Sequence, residues 1–369
     1  MKIEQSLSKD ESVYLELQKL YESYGYQKFR MQKFEEYSFY LDYKNFLASE
    51  YILTFPDQNG KLLALRPDVT LSIVKNTKAT ATSSEKLYYR ENVYRMGKSS
   101  KTFSEIMQVG VENIGTIDAC ETAEILMLAA ASLEAIEPDY RLSLSHMGFV
   151  TGLLATCHAE SEKDKQEVLS CLKTKNAHDL YRFLISHAVS EENARNVSNL
   201  ILFSGDWKQT AALAKKAAIH EEMQKALDEL EQIFSLLAGS RYSSHLSLDL
   251  TVLSDVDYYN GIIMQGYVRS CPRSVLSGGR YDLLLEKFKH SIGAMGFAVC
   301  LGDLNSCYPD ESAYDFDTLL VYDSHDKYEQ VLARASKLRS EGKKVRISRE
   351  CQQNLRYEQL EKMDGGSLC

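Results

Sequence analysis

Two runs of residues, Leu87 to Arg95 and Ile106 to Ile114, constrain this chain more than any other feature. Each reads as a strand, and the loop between them, Met96 to Ser104, is rich in Ser, Lys and Gly. Two strands joined by so short a loop read as a hairpin. A second hairpin precedes this one. Tyr51 to Phe55 and Leu62 to Leu65 flank a turn, Pro56-Asp57-Gln58-Asn59-Gly60, that carries the Asn-Gly hairpin signal. Arg66-Pro67-Asp68 then breaks the strand, and a helix with Leu71, Val74 and Lys75 follows. Further strands read at Arg141 to Ser145, at His245 to Val252, where Leu246, Leu248 and Leu250 alternate, and through Tyr259 to Arg269. Half-buried strands that meet through hairpins predict α+β, an antiparallel sheet flanked by helices, over a doubly wound parallel sheet.

The helices divide the chain. Val13, Leu17, Leu20, Tyr21 and Tyr24 share one face of a helix that Gly25 stops. Asp118 with Glu121 predicts a capping box for a helix ending near Ile136. From about Thr151 to Gly239 the pattern is wholly helical and more charged, an insertion between strand regions. Ser277-Gly278-Gly279 leads into a helix from Asp282 to Lys289, and a strand-helix-strand closes the chain from Thr318 to Ile347. The expected segments are 1–150, a helical insertion at 151–240, a return to the sheet at 241–312, and a small α/β piece at 313–369.

Composition narrows the function. At 369 residues the chain exceeds one ordinary core, and 44% hydrophobic with 26% charged residues reads as a soluble globular protein. Lys plus Arg total 43 against 52 Asp plus Glu, a net charge of -9 that leans away from holding a large RNA by phosphate contacts. The eight cysteines form no CxxC pair, which predicts free thiols in a reducing cytosol. The histidines form no HExxH, so no metal site is expected. No signal-peptide pattern opens the chain and no run of about 18 apolar residues occurs, so the expected location is cytoplasmic, away from membranes.

Polar clusters sit at the strand ends: Arg66 to Thr70, Arg95, Gln108 with Glu112, Asp257-Tyr258-Tyr259, and Ser277 to Asp282. Gln108 and Glu112 lie four apart on one strand and so face the same side. With Asp68 they can hold a ligand ammonium by charge-assisted hydrogen bonds. Alternatively, Glu112 and Asp68 pair with Arg66 or Arg95 and only stitch the sheet. Gly278-Gly279 can let a ligand approach the backbone at a helix entrance, or can be a tight turn. Tyr258 and Tyr259 read as core or hairpin aromatics as readily as ligand contacts. Neither a Walker A sequence nor GxSxG nor a Rossmann fingerprint occurs.

Taken in order, these clusters resemble the catalytic core of class II aminoacyl-tRNA synthetases, specifically histidyl-tRNA synthetase. LRPDVT at Leu65 to Thr70 is similar to that family's LRPEGT. LYYRENVYR at Leu87 to Arg95, with IMQVGVENIG at Ile106 to Gly115, resembles its motif 2 hairpin. DVDYYNG at Asp255 to Gly261 resembles RGLDYYTG, SGGRYD at Ser277 to Asp282 its GGRYD, and IGAMGFAVCLGDL at Ile292 to Leu304 its motif 3. The resemblance runs from about Ser12 to Leu304, apart from the insertion, and makes 1–150 and 241–312 two parts of a synthetase-like core. It implies a histidine site of Asp68, Thr70, Arg95, Gln108, Glu112, Tyr258 and Tyr259, in which Gln108 and Glu112 grip the α-ammonium and the tyrosines hold the imidazole.

The departures bear on activity. Ser254 stands where the enzyme has the arginine that stabilises the histidine carboxylate during adenylation. Asp303 replaces the motif 3 arginine that binds ATP phosphates, and Gly97 the acid that reads adenine. The motif 1 proline, near Gln32, is absent. Two like charges at about 4 Å cost roughly 4 kcal/mol at an effective dielectric of 20, about a thousandfold in affinity. No catalytic residue and no cofactor is therefore expected. The pattern resembles the regulatory-subunit family of ATP phosphoribosyltransferase. That resemblance implies a hetero-oligomer with the short-form catalytic subunit, a homodimer of the synthetase-like core, L-histidine as effector, and no tRNA. The segment 313–369 resembles the opening of an anticodon-binding fold. Alternatives are a divergent histidyl-tRNA synthetase that adenylates histidine and a stand-alone histidine sensor.

Overall fold

The computed structural model describes residues 7–47, 51–97, 101–159, 161–253, 258–308, 314–324, 326–351 and 354–363. Two compact units are present, Val13–Cys307 and Met1–Ser12 with Tyr308–Cys369.

In the larger unit, α1 (Lys9–Ser23, from Val13) leads through β1 (Gln27–Lys28), β2 (Phe34–Glu36) and α2 (Tyr37–Asp42) to the first hairpin, β3 (Thr54–Pro56) and β4 (Leu62–Leu65). Gly60 takes a positive φ of 78° at its turn, as the Asn-Gly signal requires. Next come α3 (Thr70–Asn76), the long hairpin β5 (Glu85–Met96) and β6 (Phe103–Gly115), α4 (Ala119–Ile136) and β7 (Tyr140–His146). The insertion is helical throughout: α5 (Met147–Thr156), α6 (Glu162–Lys173), α7 (Ala177–Ser186), α8 (Glu191–Leu200), α9 (Trp207–Ala217) and α10 (Glu221–Leu237). The sheet resumes with β8 (Leu246–Leu248), β9 (Ile262–Val268) and β10 (Leu276–Arg280), followed by α11 (Asp282–Lys287), β11 (Gly293–Cys300) and α12 (Leu301–Cys307).

Eight strands form the main sheet in the order β1-β5-β6-β11-β10-β9-β7-β8. The interior pairings from β5 to β7 are antiparallel, but β1 joins β5 and β8 joins β7 in parallel, so the sheet is mixed at its edges. Those edge strands span two and three residues, too short for alternation to show their direction. The strand expected at His245 to Val252 shrinks to β8, and Tyr258 and Tyr259 precede β9 instead of lying in it.

Helix α4 packs almost wholly apolar residues against the sheet, Ile125, Leu126, Leu128 and Leu133 being fully buried. Its Asp118 cap accepts from the backbone N–H of Cys120 and Glu121. Glu121 does not complete the reciprocal box: it accepts from Asn113 and pairs with Lys86 at 3.2 Å. Two further expectations are corrected. Gly278 and Gly279 lie within β10, paired on both sides, and form no turn or helix entrance. Cys271 and Cys307 are joined in a disulfide, so the free-thiol expectation fails for them.

The smaller unit contains a parallel three-stranded sheet, β13-β12-β14, from β12 (Phe316–Val321), β13 (Val345–Ser348) and β14 (Tyr357–Lys362), with α13 (Tyr328–Ser340). Val331 and Ala335 of α13 pack with Leu320. The sequence pattern had ended before β14.

Candidate functional site

Strand register assembles the site. Pairing Glu112 with Gly296, and Gly110 with Ala298, puts alternate residues of β6 and β11 on one face. On that face lies a cavity of about 220 Å³. This is below the roughly 300–1,000 Å³ of drug-sized sites, a scale suited to an amino acid. All seven residues expected from sequence line it: Asp68, Thr70, Arg95, Gln108, Glu112, Tyr258 and Tyr259.

Glu112 is 3% exposed. One carboxylate oxygen accepts from the Thr70 hydroxyl at 2.7 Å, and the other from the Tyr281 hydroxyl. Both donors are neutral. Burial pushes the Glu112 carboxyl up to about 8, with neighbouring Asp68 adding to the rise and the two hydroxyls opposing it. The space for this carboxylate comes from Gly296, where a Cβ would fall 1.9 Å from Glu112 Oε2. Gly279 plays the same part for Tyr259, whose ring would lie 2.8 Å from an added Cβ.

Asp68 is the partnered acid. Its Oδ1 accepts from the Leu71 N–H at 2.9 Å, and Arg95 Nη2 donates to Oδ2 at 3.3 Å. Burial still raises its carboxyl above the usual range, with Arg95 and the Leu71 and Thr70 amides opposing. Arg95 Nε is spent on the Pro67 carbonyl at 2.7 Å. Among the described residues, two acids therefore share the cavity with one arginine, and that arginine faces Asp68. Gln108 is buried, its amide 3.8 Å from Cys300 Sγ. Aromatic rings form another wall: Tyr258 lies 4.5 Å from Tyr259, 5.9 Å from Tyr281 and 6.2 Å from Phe46, centroid to centroid.

The alternative pairing scheme divides. Asp68 does pair with Arg95, but Arg66 turns to Glu91 at 2.7 Å, and Glu112 takes no arginine among the described residues. Sequence reasoning left Tyr281, Tyr89, Phe46, Ser277 and Gly296 out of the site, although each lines the cavity. Ser277 and Tyr281 stood in the SGGRYD stretch and were within reach of it. Gly296 needed the β6–β11 register. Ser254 and Asp257 lie outside the described residues, as does the side chain of Asp303. Gly97 closes the tip of the β5–β6 hairpin, its N–H bonded to the Thr102 carbonyl at 3.0 Å.

A helix-flanked sheet with an antiparallel interior, and an acid- and tyrosine-lined cavity on one face, is the catalytic-core fold of the class II aminoacyl-tRNA synthetases. Within that class the chain belongs to the histidyl-tRNA synthetase family, whose model matches residues 3–304. An ATP phosphoribosyltransferase regulatory subunit of Clostridium acetobutylicum is 28% identical over 344 residues, 90% of this chain and 84% of that protein. Among solved structures, an ATP phosphoribosyltransferase regulatory subunit/histidyl-tRNA synthetase from Bacillus halodurans C superposes with a TM-score of 0.75 at 23% identity, covering 96% of this chain and 93% of that one. A chain of the ATP phosphoribosyl transferase (HisG:HisZ) complex from Thermotoga maritima gives 0.61 at 18% identity, covering 79% and 97%. At those identities the two structures establish the fold alone.

Proposed function

We propose that this chain is the non-catalytic regulatory subunit of ATP phosphoribosyltransferase, required by the short catalytic subunit for the first step of histidine biosynthesis. In this reading its cavity binds L-histidine and allows feedback regulation. The observation that carries the reading is Glu112, a buried carboxyl whose partners among the described residues are two neutral hydroxyls, in a cavity of amino-acid size. An α-ammonium docked there displaces the proton that burial holds on Glu112 and pairs with the resulting carboxylate through a charge-assisted hydrogen bond. Gln108 and Asp68 add acceptors, and Tyr258 and Tyr259 offer ring faces and hydroxyls to an imidazole.

Gly97, Asp303 and Ser254 at the adenylation positions support a binding role without chemistry. The names of the relatives support the partner and the division of labour. A homodimer of the synthetase-like part inside a larger cytoplasmic hetero-oligomer, without tRNA, completes the proposal. Histidine then biases the assembly by about 1–3 kcal/mol of coupling free energy.

Calorimetric titration of histidine, with and without the short catalytic subunit, tests it, alongside transferase assays of the mixture. Activation of the catalytic subunit and its inhibition by histidine are expected. Failure to activate removes the regulatory assignment, and ATP–pyrophosphate exchange by the pure chain replaces it with a synthetase. Glu112→Ala should weaken histidine inhibition more than assembly; equal loss of both makes Glu112 structural.

A further inference from the structure

A disulfide joins Cys271 to Cys307 across a segment that supplies part of the cavity wall. Cys271 follows β9, is 5% exposed, and donates its N–H to the Val268 carbonyl at 3.2 Å. Cys307 ends α12, which Leu301 and Leu304 anchor with no exposed surface, and is itself only half-buried. The bond spans a sequence separation of 36. The covalent ring it closes contains β10, α11, β11 and α12. Four cavity residues lie inside that ring: Ser277, Tyr281, Gly296 and Ala298. Among them Tyr281 donates to Glu112, and Gly296 makes room for it.

We propose that Cys271 and Cys307 form a reversible thiol–disulfide site whose closure stiffens this wall of the cavity. The effect on ligand affinity rests on the histidine reading above; the effect on the wall does not. The chemistry needs a low-molecular-weight disulfide as oxidant. One cysteine thiolate attacks it, forming a mixed disulfide and releasing one thiol. The second thiolate then displaces the other thiol. Two protein thiols become one disulfide, and the oxidant takes up two electrons as two thiols. Half-buried Cys307 offers the point of attack, whereas burial raises the thiols of Cys157 and Cys171 and keeps them unreactive. In a reducing compartment such a bond responds to redox state instead of serving as a permanent staple. Closing the ring removes open conformations of the enclosed segment.

The full chain is prepared with oxidised glutathione and, separately, with dithiothreitol. Differential alkylation with peptide mapping should find Cys271 linked to Cys307 in the first preparation only. Amide exchange across residues 276–300 should slow by about tenfold on oxidation. The histidine Kd should fall by about threefold through pre-organisation. Cys307→Ser should behave as the reduced form under both treatments. Both redox forms come from the parent chain, so a poorly folding variant does not remove the test. A missing linked peptide, unchanged exchange, or a measurable but unchanged histidine Kd overturns the proposal. Slowed exchange with no histidine binding in either form sustains the disulfide site and overturns the histidine reading instead.

Discussion

The hairpin β5–β6 carries two buried charged clusters on the same sheet face, where Glu91 stands opposite Gln108 and Leu87 opposite Glu112. They solve the burial of charge in opposite ways. Arg66 is 1% exposed and its guanidinium is closed by protein: Nη2 meets Glu91 at 2.7 Å, Nε and Nη2 donate to the Asn92 carbonyl at 3.1 and 3.0 Å, and Nη1 donates to the Gln32 carbonyl at 2.8 Å. Glu112, equally buried, has two hydroxyl donors and no cation among the described residues. A closed cluster binds neighbouring strands together and has nothing left to offer a ligand. An open one costs stability while empty and recovers it when a cation docks. The difference separates structural from functional charge within a few residues of one strand pair.

Breaking the closed cluster should have the largest effect. Arg66→Met strands Glu91 and two carbonyls, and should lower stability by about 3 kcal/mol or more in urea unfolding. Histidine affinity of the folded fraction should stay within about threefold of the parent. A large loss of affinity at unchanged stability would erase the distinction between the clusters.

Glu112→Gln should do the reverse, costing about 2–3 kcal/mol of histidine binding by calorimetry. Its stability should depend on pH with a fixed sign. A carboxyl raised from the ordinary 4.5 to about 8 holds a proton in the folded state that the unfolded chain releases. Its stabilising contribution is complete below about pH 4.5 and is lost as pH rises through 8. The glutamine variant does not titrate, so it should gain on the parent between pH 5 and 9, by on the order of 2–4 kcal/mol. A parent and variant with parallel pH–stability curves would show that Glu112 is ionised and already compensated. Gly296→Ala comes next: a Cβ 1.9 Å from Glu112 Oε2 and 2.3 Å from the Val111 carbonyl should cost about 1–3 kcal/mol of stability and displace the carboxylate.

Most of the open cluster is legible in the sequence, because it rests on ordered local motifs. Asp68 and Thr70 follow a strand-breaking Arg-Pro, and Gln108 and Glu112 share a strand face by simple parity. What the sequence withheld depends on register or on contacts distant along the chain. Nothing local pairs Gly296 with Glu112, 184 positions earlier in the β6–β11 ladder (296 − 112). Nothing local sends Arg66 to Glu91 and leaves Arg95 for Asp68. The parallel edges escaped because two- and three-residue strands have no periodicity to read. The disulfide escaped because its cysteines have no motif spacing, and only the return of α12 beside the β9–β10 connection brings them together.

The smallest predicted effect is the most discriminating. Tyr281→Phe keeps the ring near Tyr258 and removes the one hydroxyl that reaches Glu112 from the ring closed by the disulfide. Burial holds the Tyr281 hydroxyl far above its ordinary titration range, so it acts as a donor at every working pH. Removing a donor to the anion favours the protonated acid, so the pH–stability transition assigned to Glu112 should move upward. At neutral pH a docking cation must then displace a more firmly held proton, and histidine affinity should fall by about fivefold, roughly 1 kcal/mol. Raising the pH to about 9 should recover part of that loss, whereas Glu112→Gln should recover none. Partial recovery in the tyrosine variant alone would place Tyr281 as a positioning residue acting through Glu112. Equal pH-independent losses in both variants would mean that the hydroxyl contacts the ligand itself, and the cavity would then have two separate anchors in place of one open carboxylate.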